Sequence, residues 1–128
     1  MILSQKTEAF GTDSPAWLAS RHGTGEARSV TLDKSLFTEG THYAKGYYPS
    51  GLPLGRVTAS GKYGPFDSTA TDGRQTLAGF LFAWVDAGVG DVDAVGALLD
   101  HCKVVAAKLP VTVNAAGQTS AAGRILFY

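Results

Sequence analysis

The sequence predicts a small, mainly β domain (α+β minor) carrying an extended N-terminal arm. Three observations carry that expectation. The chain has 128 residues, 45% of them hydrophobic and 17% charged, which suits one domain with a core of its own. Sixteen glycines distribute tight turns along it. Between those turns lie strand-length runs rich in β-branched and aromatic residues, at 29–37, 52–60, 62–66, 74–88 and 123–128.

The elements follow in order. Residues 1–28 mix small polar residues with glycine and hold no sustained period. They read as an arm that orders weakly on its own. Phe10 and the pair Trp17-Leu18 interrupt it. A solvated tail has little use for tryptophan, so Trp17 is covered either by a partner or by its own domain. The remainder, 29–128, is a single β-rich domain. It opens with the alternation Val30-Thr31-Leu32, a short strand after Ser29. Residues 38–51 are turn-rich and carry Tyr43, Tyr47 and Tyr48. A strand over 52–60 and a turn at Gly61 lead to the short strand 62–66. That strand ends, or lies at an edge, at Pro65, which has no N–H to donate.

The stretch "DSTATDG" at 67–73 is a loop in which Asp and Ser side chains bond nearby backbone and Gly73 takes a positive φ. The nearly continuous apolar run at 74–88 predicts a central strand buried on both faces. Leu77, Phe80, Leu81, Phe82 and Val85 are its core residues, with a kink or close approach at Gly79. From Asp91 to Pro110 two patterns compete. Val92, Val95, Leu98, Leu99 and Cys102 have helical spacing, whereas "VGALL" and "KVVAAKL" around Asp100-His101-Cys102 form a hairpin. Gly96 and the β-branched pair Val104-Val105 favour the hairpin. Residues 115–122 make a loop or short helix, and 123–128 a last strand.

Composition excludes several functions. Net charge is zero, and Tyr43, Tyr47 and Tyr48 have only Lys45 and Arg56 nearby, so no nucleic-acid or anionic-membrane partner is expected. The charge is uneven. Residues 65–102 carry six acids against Arg74 alone, 1–64 carry seven bases and five acids, and 103–128 carry three bases and no acid. The flanks can therefore attract the middle, within a chain or between copies. Cys102 is the single cysteine, so no internal disulfide forms, which fits a reducing compartment. The first residues lack the basic and apolar regions of a signal peptide, and the apolar stretch "LAGFLFAWV" is too short to span a bilayer.

No catalytic or metal-binding pattern emerges. The stretch 55–63, "GRVTASGKY", has one spacer residue too many for a phosphate loop, Tyr63 in place of Ser/Thr, and no helix after it. His101 and Cys102 are adjacent and face opposite sides of a strand. Asp91 and Asp93 share a face but are too few for a calcium cage. There is no Gly-x-Ser-x-Gly elbow, and His22, His42 and His101 sit in ordinary contexts. No enzyme, cofactor or metal is expected.

One ordered set of motifs is more specific. Leu54-Gly55-Arg56-Val57-Thr58 is followed by Lys62-Tyr63-Gly64-Pro65-Phe66-Asp67, then Thr71-Asp72-Gly73 and Gly79-Phe80-Leu81. Lys108-Leu109-Pro110 and the apolar Ile125-Leu126-Phe127 complete it. In order and spacing they resemble the head decoration proteins of lambda-like tailed phages, and 22–51 is similar to the arm region of those from actinobacterial siphophages. Asp100-His101-Cys102 departs from the pattern, which has a Gly turn there.

The resemblance implies a β-tadpole-like domain with a flexible capsid-binding arm over 1–28. It implies a homotrimer at the three-fold and local three-fold sites of an expanded head, steadying the shell against DNA pressure. The arm adds a strand to the major capsid protein, through Trp17, Leu18, Ser29, Val30, Thr31 and Leu32. The implied partners are that protein and further copies of this chain, without nucleic acid or membrane. The place is the outer surface of the virion, after synthesis in the host cytoplasm. The alternative is a virion-displayed carbohydrate- or ligand-binding β module with Trp17, Tyr47, Tyr48 and Trp84 as platforms.

Overall fold

The computed structural model describes residues 15–21, 23–43, 46–87 and 92–128. Phe10, His22, Lys45 and Asp91, weighed above, lie outside them. The strands, in chain order, are β1 (Arg28–Leu32), β2 (Tyr47–Tyr48), β3 (Pro53–Arg56), β4 (Tyr63–Pro65), β5 (Gly79–Leu81), β6 (Val85–Asp86), β7 (Ala94–Leu99), β8 (Cys102–Val104) and β9 (Ile125–Phe127). One short helix, α1 (Ala115–Ser120), precedes β9.

Five of the strands close into a barrel in the order β1-β4-β3-β5-β7. β3 and β4 pair antiparallel across the turn expected at Gly61, with Leu54 opposite Pro65 and Arg56 opposite Tyr63, but β3 ends at Arg56 and not at 60. β1 closes the ring. It runs antiparallel to β7 from Arg28 opposite Leu98 to Leu32 opposite Ala94, and meets β4 in parallel at Leu32 and Tyr63. β5 stands between β3 and β7, with Phe80 opposite Leu99 and Leu81 opposite Leu98.

Successive strand residues point to opposite faces, and β5 and β7 use both. Leu81 and Leu98 face the barrel interior with Val30, Leu32, Leu54 and Tyr63. Phe80 and Leu99 face outward into a second core with Trp17, Cys102, Val104, Val113 and Ile125. A wall buried on both sides reads in sequence as a continuous apolar run. Gly79 lies so close to the Leu99 carbonyl that a Cβ there would collide with it. The second core is roofed by the parallel pair β8-β9 and by α1, whose first turn is capped by Asn114 Oδ1 accepting from the Gly117 N–H at 2.9 Å.

The structure departs from the sequence reading at three further places. The run 74–88 is two strands. Leu77, Phe80 and Leu81 are fully buried, but Phe82 and Val85 are half-buried. The Phe82 N–H still bonds the Ala97 carbonyl, as the β5-β7 ladder requires, but the Phe82 carbonyl takes its bond from Ser50 Oγ at 2.6 Å, and the chain leaves the barrel there. Val85 then pairs with Tyr48 in a separate two-stranded sheet, β2-β6. Residues 94–104 are strands rather than a helix, yet they form no hairpin. β7 belongs to the barrel, β8 pairs with β9, and Asp100-His101 is the corner between the two sheets.

The third departure concerns the arm residues. Trp17 is 1% exposed in the second core, and Leu18 bridges Val104. Val30 and Leu32 are buried in the barrel, with Ser29 and Thr31 on its outer side. Because β1 is bonded to β4 and β7, it has no spare edge at Leu32 to offer another chain. The reason is packing. An indole and two aliphatic side chains stabilise the chain's own cores by more than a solvated tail would retain.

Phe80 touches both Trp17 (ring centroids 5.5 Å apart) and Phe127 (6.2 Å). Phe80→Ala is expected to destabilise the domain by about 3–5 kcal/mol in denaturant unfolding. Phe82→Ala, at a half-buried position, is expected to cost clearly less. Equal losses would show that the fully buried run does not end at Leu81 and that Phe82 is packed as tightly as Phe80.

Candidate functional site

The loop 67–73 is bonded into itself. Asp67 Oδ1 accepts from the Thr69 N–H at 2.9 Å and from its hydroxyl at 2.7 Å. Asp72 accepts from the Arg74 backbone N–H at 3.2 Å and from its Nε at 3.0 Å. Those hydrogen bonds hold both carboxyls below the usual carboxylate range. Gly73 has φ 118°, and a Cβ there would run into the Arg56 carbonyl and the Thr58 hydroxyl. Its acids are engaged in turn geometry, so the loop is a connection between β4 and β5.

Part of the uneven charge of the sequence is resolved inside the chain. Arg28 pairs with Asp100 at 3.4 Å and Lys62 with Asp93 at 2.8 Å, each joining the basic N-terminal half to the acidic middle. Asp93 also accepts from the Lys34 backbone N–H at 3.0 Å, while Lys34 Nζ donates to the Ala87 carbonyl at 2.8 Å. Lys34 thereby ties Ala87 and Asp93 to the end of β1. From the basic C-terminal stretch, Arg124 donates to the carbonyls of Leu77, Ala78 and Asp100 at 2.7–3.0 Å, fastening β9 to the barrel wall. An Arg just before a terminal strand was the only sequence signal for that staple.

The aromatic candidates separate. Trp17 and Tyr48 are buried in the two cores, leaving Tyr47 and Trp84 half-buried at the surface in an edge-to-face pair 5.6 Å apart. Burial pushes the Tyr48 phenol up to about 12. Near Tyr47 lies a shallow groove of about 390 Å³ lined by His42, Tyr43, Tyr47, Pro49, Pro110 and Val111, among others. His42 Nδ1 accepts from the Thr38 N–H at 2.9 Å, and burial lowers its pKa, so the ring is a neutral structural acceptor. Cys102 is buried and its thiol is pushed up to about 11 by burial, which makes it inert.

Among the described residues no three His, Cys, Asp or Glu side chains gather as metal ligands, and no helix is long and apolar enough to cross a membrane. Among the described residues the exposed large hydrophobic side chains are Val92, Val95, Leu126 and Tyr128. Val95 stands beside Thr31 on the outer face of the β1-β7 ladder, and Leu126 and Tyr128 lie at the chain end on and after β9.

The family model described as bacteriophage lambda head decoration protein D matches residues 24–125. Neither the comparison with curated proteins nor that with solved structures finds a match.

The Lys62–Asp93 pair sets a pH dependence. The hydrogen bond from Lys62 lowers the Asp93 pKa, and the same bond raises that of Lys62. Asp93 therefore contributes stability above the ordinary carboxylate value of about 3.9, and the contribution is lost as pH falls through its lowered folded value. Lys62 contributes below about 10.4, and its part is lost as pH rises through the raised folded value. Thermal unfolding of Asp93→Asn is expected to show a smaller loss of Tm than the wild type on passing from about pH 5 to about pH 2. Asp67 and Asp72 should leave a residual acid loss. An acid limb identical to wild type would exclude the pair as a source of stability.

Proposed function

The chain belongs to the family of the bacteriophage lambda head decoration protein D, a structural family whose place is the phage capsid, and we propose that it seats there as a homotrimer at the three-fold and local three-fold sites of the expanded head. The observation that carries this reading is the match over 24–125, which takes in the five barrel strands, β8, α1 and the start of β9. A three-fold arrangement closes a ring of heterologous contacts and does not grow into fibres. With Asp93 and Asp100 already paired inside the chain, the exposed Val92, Val95, Leu126 and Tyr128 supply the apolar contact area.

The grip on the major capsid protein comes from an N-terminal arm that adds a strand to a sheet edge, where main-chain hydrogen bonds give affinity. Because Trp17 and β1 are committed to the chain's own cores, that role falls to residues before Pro15. Ordering such a segment on binding offsets about 2–5 kcal/mol of its interaction energy. Three arms on one trimer raise the effective concentration of each and recover much of that loss. The result is a clamp across capsomer boundaries that resists the outward pressure of packaged DNA.

Deleting residues 1–14 keeps every residue named above in the two cores, so the shortened chain is expected to unfold at nearly the wild-type Tm. Its occupancy on expanded heads lacking their native decoration is expected to fall by orders of magnitude. Wild-type occupancy after the deletion would overturn strand addition by the arm. Light scattering of the free protein and imaging of decorated heads test the trimer, and dimers on two-fold axes would contradict it.

A further inference from the structure

The residues from Pro15 to Arg21 precede the stretch that the family model matches, yet they are built into the domain. Trp17 lies against Phe80 in the second core and its Nε1 donates to Ser50 Oγ at 2.9 Å. Ser50 Oγ in turn donates to the Phe82 carbonyl at 2.6 Å, at the point where the chain leaves the barrel. The socket needs the residue after Ser50 to be glycine. Gly51 has φ 91°, and a Cβ there would sit 2.8 Å from Trp17 Cδ1. The backbone is sewn down as well. The Val105 N–H donates to the Trp17 carbonyl at 2.6 Å, the Ala19 N–H donates to the Lys103 carbonyl at 2.9 Å, and Leu18 bridges Val104 in antiparallel sense. β8 thus has β9 on one side and this segment on the other.

We propose that Pro15–Arg21 is a strap latched by Trp17, which binds the β8-β9 sheet to the barrel and fixes where the preceding chain leaves the domain. The consequence, which rests on the reading of residues 1–14 as a capsid-gripping arm, is mechanical. Without a latch, tension in the arm would reach Arg28 and peel β1 from β7, opening the barrel at its closing strand. With it, tension is carried by the indole in its socket and by main-chain bonds to β8, and β1 is spared.

The test is a double-mutant cycle on the full chain in a Trp84→Phe background, where Trp17 is the sole tryptophan. Gly51→Ala is expected to displace the indole, shifting its emission to the red and lowering Tm. In a Trp17→Ala chain the same Gly51→Ala change should lower Tm by less than about half as much, because only the backbone strain at Gly51 remains. Equal Tm losses in both backgrounds, or an unshifted emission, overturn the latch. Should the Trp17→Ala chain fail to fold, the cycle is run with Trp17→Phe and Ser50→Ala instead. A Ser50→Ala loss that is the same with and without the Trp17→Phe change then overturns the bond. Decorated heads decide the mechanical consequence separately. Trp17→Ala protein, or Trp17→Phe in its place, should be shed from heated heads at a lower temperature than wild type, by a margin exceeding its own loss of Tm in solution. Thermal coupling with wild-type retention on heads leaves the socket standing and overturns its role in carrying tension.

Discussion

The structure depends on a wall two residues wide. Phe80-Leu81 of β5 lies opposite Leu99-Leu98 of β7, and each strand sends one side chain into the barrel and the next into the second core. Neither core exists without this wall. Phe80, Leu81, Leu98 and Leu99 are fully buried, and four large side chains removed from water at roughly 1.5–3 kcal/mol each give the fold its main local source of hydrophobic stabilisation. The wall also explains the topology. A strand with two apolar faces must be covered twice, by barrel strands on one side and by β8, β9, α1 and Trp17 on the other.

The polar residues serve that frame. Arg124 takes up the carbonyls left by the chain around Leu77 and Asp100, and Lys34 ties Asp93 and Ala87 to the end of β1. Those in which the Arg124 guanidinium, the Lys34 ammonium or the Asp93 carboxylate takes part are charge-assisted, of a kind stronger than exposed ion pairs. The ion pairs themselves are partly solvated, so they set surface charge more than they set stability. Among the described residues Asp72, Asp93 and Asp100 are ion-paired, and the turn at 67–73 is bonded into itself.

The barrel strands meet the demand of a small β domain for edge protection by closure. Closure leaves little open edge among the five strands for stray pairing. The weak point is β1, held to β4 through a single register pair at Leu32 and Tyr63. The residues preceding β1 fold back across the second core and pair with β8, so the chain enters the barrel from an anchored position.

By itself the sequence determined what local signals encode. The strand alternation at Val30-Thr31-Leu32, the β3-β4 hairpin around Gly61, the self-bonded turn ending at Gly73 and the buried character of Leu77, Phe80 and Leu81 were all legible, because each arises from neighbours within a few residues. The ordered motifs also carried the family resemblance. What only the tertiary structure decided is pairing across the chain. Whether Cys102–Val104 turns back on β7 or crosses to β9, whether Val85 extends β5 or joins Tyr48, and whether Trp17 seeks a partner or its own core depend on contacts 30 or more residues apart for Val85–Tyr48 and Trp17–Ser50 and just over 20 for Cys102–Ile125. Local pattern is blind to such contacts, since an apolar face states only that it must be covered. Charge behaved the same way. The acidic middle and basic flank were visible in sequence, but their meeting inside one chain was settled by the register of β1 on β7, which sets Arg28 opposite Leu98 and so within reach of Asp100.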